Sequence, residues 1–451
     1  MKDGGRFGLC LAIVGVVSTS QLLGCSEGED EPIDGVFTPA EWEAVQALSP
    51  LPELEPDPYN RYADDPAAAA LGQKLFFETR YSGALGDDNA CSDCGAVGAP
   101  GETGLMGCAY CHQPPSFTDR RSSPDNTSLG VKWATRNTPS LVNVAYYTWY
   151  GWAGKQDSLF TQAAGSPESG TNSKGTRLGY AHMLWDHYRG EYDAIFDEPL
   201  PDALDPAHPE AARFPASGNP KASVDDPDGA WELMTSQDQE AINRVVANQG
   251  KAVAAYERLL VSRDAPFDRY VAGELDAIST SAKRGARLFV GKAGCVECHE
   301  GPTFSDNDFH NTGVPQVGEH VAALDEGRYG DVPKLLGHTW NTSSPFSDDA
   351  LSGKLDGVHQ DEADIGKFRT KQLRNVADSA PYFHTGDAKT LRDVVEFYNA
   401  GGAEDGYSGV KDDLMVPLNL GEDELDDLVA FLESLTGAPL PAELTTAPPL
   451  P

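Results

Sequence analysis

Apolar residues recur at every third or fourth position through several stretches of this 451-residue chain, a period that predicts helices. The longest is 237–261, where Ile242, Val245, Val246, Val253, Tyr256, Leu259 and Leu260 share one side. Ala-rich 67–78 places Leu71, Leu75 and Phe76 on one face, and 390–399 does the same with Leu391, Val394, Val395 and Tyr398. Further helices are predicted at 39–45, 158–164, 178–196, 281–291 and 422–435, the last bracketed by Gly421 and Gly437. Pro50 to Pro58 reads as an extended connector. The stretch 199–228, rich in Pro, Asp and Ala without a sustained period, reads as a surface excursion within an inserted loop, 199–236.

The first 25 residues have a different pattern. Lys2 and Arg6 precede an apolar run, Phe7 to Val17, too short to span a bilayer comfortably, and the stretch closes on Leu22-Leu23-Gly24-Cys25. This resembles a bacterial lipoprotein signal, in which Cys25 is acylated and becomes the new N-terminus; an ordinary secretory signal is the alternative. The expectation is export to the periplasmic side of a bacterial membrane, with a lipid on Cys25 as the only membrane contact. Residues 26–65 then form an acidic, Pro-rich tether and 438–451 a Pro-rich tail. A composition of 40% hydrophobic and 23% charged residues is that of a globular protein. With 70 acidic against 34 basic residues, a net charge of −36, nucleic acid is excluded as the main partner, because phosphate binding needs a basic face.

Setting aside Cys10 and Cys25, six of the eight cysteines remain, in three Cys-x-x-Cys pairs. Two run directly into histidine: Cys108-Ala-Tyr-Cys111-His112 and Cys295-Val-Glu-Cys298-His299. Two thiols one helical turn apart reach both vinyl groups on one porphyrin edge, and the adjacent histidine swings under the iron, so each pentad is a complete c-type haem attachment site. A zinc site would need four ligands gathered at one place, and these pentads lie far apart in the chain. The third pair, Cys91 and Cys94, lacks the histidine; a local disulfide in an exported Gly-rich loop is the expectation. Helix, haem motif, irregular loops and helix thus occur twice. The predicted fold is mostly α with little β: two cytochrome-c-like haem domains with long irregular loops, at 66–275 and 276–437.

Over residues 66 to 437 the chain resembles the bacterial di-haem cytochrome c peroxidase and MauG family. The resemblance is carried by Leu71-Gly-Gln-Lys-Leu-Phe-Phe77, the first pentad with Phe117-Thr-Asp119, and Arg136-Asn-Thr-Pro-Ser-Leu-Val-Asn143. It continues through Ser158-Leu-Phe-Thr-Gln-Ala163, the second pentad, Lys371-Gln-Leu-Arg-Asn-Val376, Ala380-Pro-Tyr-Phe-His384 and Leu428 to Gly437. It implies that the N-terminal haem reacts with hydrogen peroxide and the C-terminal haem passes it electrons from a small cytochrome c or copper protein. It also implies that Trp152 lies between the haems, that Gln162 is a distal glutamine, and that Asn137, Ser379 and Pro381 bind calcium. Trp152 also reads as packing in the aromatic run 146–152, and the three calcium positions as plain turn residues. Assembly as a homodimer stays open.

Three positions depart from the peroxidase pattern. Val131 stands where some members have a second histidine ligand for the N-terminal haem; valine cannot bind iron, so that haem should be open. Tyr398 takes the place of a methionine ligand of the C-terminal haem, as in the MauG branch; a phenolate stabilises ferric iron. Tyr398 equally suits an apolar helix face, and Met415 is its rival as ligand. Asn172 stands where the family has a distal glutamate, and an amide cannot shuttle a proton at neutral pH. Glu168, His182 and His187 are nearby substitutes, and Arg177 and His384 further polar candidates. The functions in play are a peroxidase, a MauG-like enzyme that oxidises a protein, and a non-catalytic electron-transfer cytochrome.

Overall fold

The computed structural model describes residues 32–121 and 127–451; Cys25 and the signal lie outside them. In chain order the helices are α1 Pro39–Gln46, α2 Pro66–Phe77, α3 Cys108–Cys111, α4 Leu159–Gly165, α5 Arg177–Ile195 and α6 Ser236–Glu257. Then follow α7 Pro266–Val271, α8 Thr280–Val290, α9 Arg328–Leu336, α10 Leu391–Asn399, α11 Glu422–Glu433 and α12 Ala442–Thr445. Local chemistry sets most starts. Asp65 accepts from the Ala67 and Ala68 amides with Pro66 at the first turn of α2, and Thr235, Ser279 and Thr390 cap α6, α8 and α10. Sheet is minimal among the described residues: β1 Phe309–His310 pairs antiparallel with β2 Phe368–Arg369.

The predicted duplication is present down to single residues. α2 packs on α6 and α8 on α11, and each crossing is made at a glycine. A Cβ on Gly72 would overlap the Ala252 carbonyl, and one on Gly285 the Asp427 carbonyl. Four residues after each glycine a phenylalanine, Phe76 or Phe289, enters the core. Asn143 and Asn375, at matching places after the two haem motifs, both take the left-handed conformation, with φ of 61° and 59°. The bridges Tyr150–Gln156 and Tyr382–Ala388 recur in the same order before α4 and α10.

Two large apolar cores result. The first gathers α2, α4, α5 and α6 around Phe76, Phe160, Leu184 and Tyr256; the second gathers α1, α7, α8, α10 and α11 around Phe267, Phe289 and Phe431. The halves are interleaved. Trp340 and Phe346, from the second half of the chain, are part of the first core. Their segment is tied there by Thr342 on Asp157, Asp348 on Lys251, and Arg136 on Asp325 and Asp331.

The stretch 199–228 runs mostly over the surface, as expected, but is anchored by four buried apolar residues. Leu200, Ala203, Leu204 and Phe214 are buried in the first core, as is Trp231 just beyond. These apolar residues are spaced irregularly because they anchor loops and 3₁₀ turns, not a helix face. The tail also folds back: Tyr256 donates to the Leu444 carbonyl (2.5 Å) and Gln73 to that of Glu443 (2.6 Å).

Candidate functional site

The two Cys-x-x-Cys-His motifs adopt matching local structures. Cys108–Cys111 is one α-turn and Cys295–Glu297 a 3₁₀ turn. Five residues after each histidine the chain turns through a left-handed phenylalanine, Phe117 (φ 53°) or Phe304 (φ 56°). That turn aims a carbonyl at the imidazole: His112 Nδ1 lies 3.1 Å from the Phe117 oxygen and His299 Nδ1 2.9 Å from the Phe304 oxygen. Donation from Nδ1–H fixes the tautomer and leaves Nε2 as the ligand atom. Burial lowers the pKa of both imidazoles, keeping them neutral. Burial also pushes the Cys108, Cys111 and Cys295 thiols up to about 12. The internal repeat His112-x4-Phe117-Thr-Asp119 and His299-x4-Phe304-Ser-Asp306 was a sequence signal for this shared geometry. Cys91 and Cys94 are joined as a disulfide.

The first cavity is lined by Cys108, Cys111, His112, Gln162, Asn172 and Glu257, among others. Gln162 projects from α4, its Nε2 donating to Ser166 Oγ (3.1 Å). Asn172 stands at the exposed rim and its backbone carbonyl accepts from Val131 N (3.0 Å). Val131 is fully buried against Leu85 and Met106. The other acid–base candidates are placed elsewhere. Glu168 forms a two-point ion pair with Arg177 (2.7 and 2.9 Å), and Arg177 stacks on Trp340, 4.4 Å from the ring centre. His182 is bonded to the Phe214 and Pro215 carbonyls. Neither these nor His187 line the cavity. Glu257 went unnoticed in the sequence because an acid at the end of an amphipathic helix reads as its polar terminus.

The second cavity, about 290 Å³, is lined by Cys295, Cys298, His299, Tyr398 and Met415. Tyr398 is half-buried, and desolvation raises its phenol pKa. Tyr398 and Met415 thus share the cavity with His299, and both remain in reach of ligand duty. The same lining carries polar groups without protein partners: Arg369 Nε and Nη1, Gln372 Oε1 and Asn375 Nδ2 make no hydrogen bond. Lys371 is half-buried near the buried Arg369, and desolvation draws its pKa well down. Desolvated cations without carboxylate partners are what the propionates of a haem would satisfy, so these residues fit that group. One further trio among the described residues is close enough to hold a metal, Cys298, Asp306 and His310, but Cys298 belongs to the haem motif.

Trp152 belongs to the second cavity. It donates from Nε1 to the Asn137 carbonyl (2.6 Å) and carries the Lys371 ammonium 4.2 Å from its ring centre. His384, which burial lowers to about 3, is stacked on Phe368 at 3.7 Å and faces Trp152 edge-on. Asn137 Nδ2 donates to the Pro381 carbonyl (2.7 Å) across the junction of the halves, and Ser379 lines the same wall. Thr138 lines both cavities.

Duplicated helical halves, each carrying a c-type haem attachment motif over a cavity, define a di-haem c-type cytochrome. Comparison with known proteins makes this specific. The family described as di-haem cytochrome c peroxidase matches residues 66–276. Cytochrome-c peroxidase IdrP1 of Denitromonas iodatirespirans is 34% identical over 404 residues, 86% of each chain. Methylamine utilization protein MauG of Methylorubrum extorquens is 29% identical over 406 residues, covering 90% of this chain and 88% of that one. Among solved structures, a MauG-like protein associated with microbial copper homeostasis superposes with a TM-score of 0.57 at 23% identity, over 88% of this chain and 98% of that one. The diheme peroxidase BthA from Burkholderia thailandensis gives a TM-score of 0.56 at 20% identity, over 88% and 94% of the two chains. The chain belongs to the di-haem cytochrome c peroxidase and MauG family, peroxidase-type oxidoreductases carrying two c-type haems.

Proposed function

We propose that this protein reduces hydrogen peroxide to water with electrons from a small cytochrome c or copper protein, working on the periplasmic side of a bacterial membrane to which a lipid on Cys25 holds it. No helix among the described residues is long and apolar enough to cross a membrane. The observation that carries the function is that, among the described residues, His112 is the only imidazole on the first cavity's lining; Val131, at the position where the family resemblance would put a second histidine ligand, packs against Leu85 and Met106. A haem held in that cavity by His112 alone would leave a place for a reactant, which would have little purpose in a pure electron carrier. A haem bound there supplies redox cleavage of the peroxide O–O bond.

The chain's residues do the rest. His112 and His299 are oriented by the Phe117 and Phe304 carbonyls to present Nε2. Gln162 offers an amide, tethered by Ser166, to a molecule in the first cavity. Trp152 is the aromatic step between the halves, rigidly held by Asn137 and Lys371. Asn137, Pro381 and Ser379 suit a calcium ion at the junction, since turning over the Asn137 amide presents an oxygen where Nδ2 now donates to Pro381.

Tyr398 favours a second function, MauG-like oxidation of a protein substrate, because a phenolate at the second haem lowers its potential. Optical and EPR titration of the ferric protein with stoichiometric peroxide is the test. A high-spin haem that reacts supports both enzymes; two six-coordinate, inert haems leave only an electron-transfer cytochrome. Rapid turnover with reduced cytochrome c then separates the peroxidase from the protein oxidant.

A further inference from the structure

The first cavity lacks the carboxylate that the family pattern places at 172, and Glu168 is committed to Arg177. It nevertheless contains an acid. Glu257, the last residue of α6, is 3% exposed and, among the described residues, is the one acidic side chain on the lining shared by His112, Gln162 and Asn172. Val253, one helical turn earlier, lines the same space, so this face of α6 forms a cavity wall. The Glu257 Oε2 atom is buried and makes no hydrogen bond, and among the described residues no lysine or arginine lines the cavity. A structural carboxylate at such a site would be expected to have a partner; an unpaired buried carboxylate is costly, and the neutral acid is the stable form.

We propose that Glu257 holds the proton for chemistry at the first haem, in place of the distal carboxylate that Asn172 has replaced. The proposal rests on the peroxide-reducing function and names its acid. The overall change consumes hydrogen peroxide, two electrons from the small redox donor and two protons, and yields two waters. The Glu257 carboxyl gives one proton to the oxygen that departs as the O–O bond breaks, so that water and not hydroxide leaves; solvent returns that proton and supplies the second. Gln162 and Asn172 orient the peroxide and carry no proton. Burial pushes Glu257 up to about 8, so it is protonated at neutral pH. The titratable groups coupled to it are Cys108, a thioether once haem is attached, and the phenols of Tyr150 and Tyr256, which burial keeps protonated. A proton titrating near 8 in this cavity therefore belongs to Glu257.

The test uses the holoprotein. Infrared spectra at neutral pH should show a carboxylic-acid C=O band that shifts in D₂O, fades as pH rises through about 8, and is missing in Glu257→Gln. In that variant the reaction of peroxide with the ferric protein should slow about 100-fold or more. Cyanide binding should stay near wild type, showing the haem intact, and adding Asn172→Glu should restore rate. Glu257→Asp, which keeps an acid, covers the case in which the glutamine variant does not fold; it should keep both the band and part of the rate. A peroxide rate in Glu257→Gln within two-fold of wild type overturns the proposal, as does a wild-type spectrum without the band. A wild type that shows the band but ignores peroxide refutes the peroxidase function instead.

Discussion

Replacing Glu78 should cost stability by an amount that depends on pH. Glu78 ends α2 on the approach to the first haem motif, and its side chain is 1% exposed. Oε1 accepts from the Thr79 and Arg80 amides (2.9 Å each) and from Arg80 Nε (2.8 Å); Oε2 accepts from Tyr188 OH (2.6 Å) and Arg80 Nη2 (2.5 Å). Burial alone would raise its pKa, but Arg80 and then Tyr188 outweigh it and hold Glu78 at about 2, against an ordinary 4.5. A lowering of that size corresponds to about 3 kcal/mol. Because the folded value is the lower one, this stabilisation is fully present above pH 4.5 and is lost as pH falls towards 2. Glu78→Gln should therefore destabilise the protein by about 2–4 kcal/mol at pH 7. Chemical denaturation of both proteins, followed by circular dichroism from pH 7 to 3, measures the gap. It should be constant down to about pH 5 and narrow below, since other carboxylates titrate alike in both proteins. A gap that does not change with pH, or no gap at pH 7, refutes the account.

Val131→His should supply a sixth ligand to the first iron, replace its high-spin EPR signal with a low-spin one and slow its reaction with peroxide; an unchanged signal would show that the side chain does not face the iron. Gly285→Ala should destabilise by about 1–3 kcal/mol, because its Cβ would overlap the Asp427 carbonyl where α8 meets α11; thermal melting checks this, and an unaltered midpoint would mean the helices yield freely. Tyr398→Met should raise the potential of the second haem while Met415→Leu leaves it in place; spectroelectrochemistry showing the reverse would make Met415 the ligand.

The features legible in the sequence were those with local signatures. Cys108 to His112 and Cys295 to His299 are contiguous and chemically unambiguous, and α2, α6, α8, α10 and α11 carry strong apolar periods with caps beside them. Trp340, Phe346, Phe214 and Trp231 were illegible as core because each enters from a loop, where no periodicity marks a buried face. α9 was missed because Pro333 lies inside it and Gly337 ends it, both of which read as breaks. Glu257 stayed hidden for another reason: whether a carboxyl meets solvent or a cavity depends on what the rest of the chain puts around it.

The insertion of Trp340 and Phe346 into the first core limits how this chain can be divided. Cutting the gene at the midpoint of its duplication would not release two single-haem cytochromes, because the leading piece would lose part of its own interior and its Arg136 clasp on Asp325 and Asp331. The two halves have become obligate companions, their relative placement set by shared packing and ion pairs.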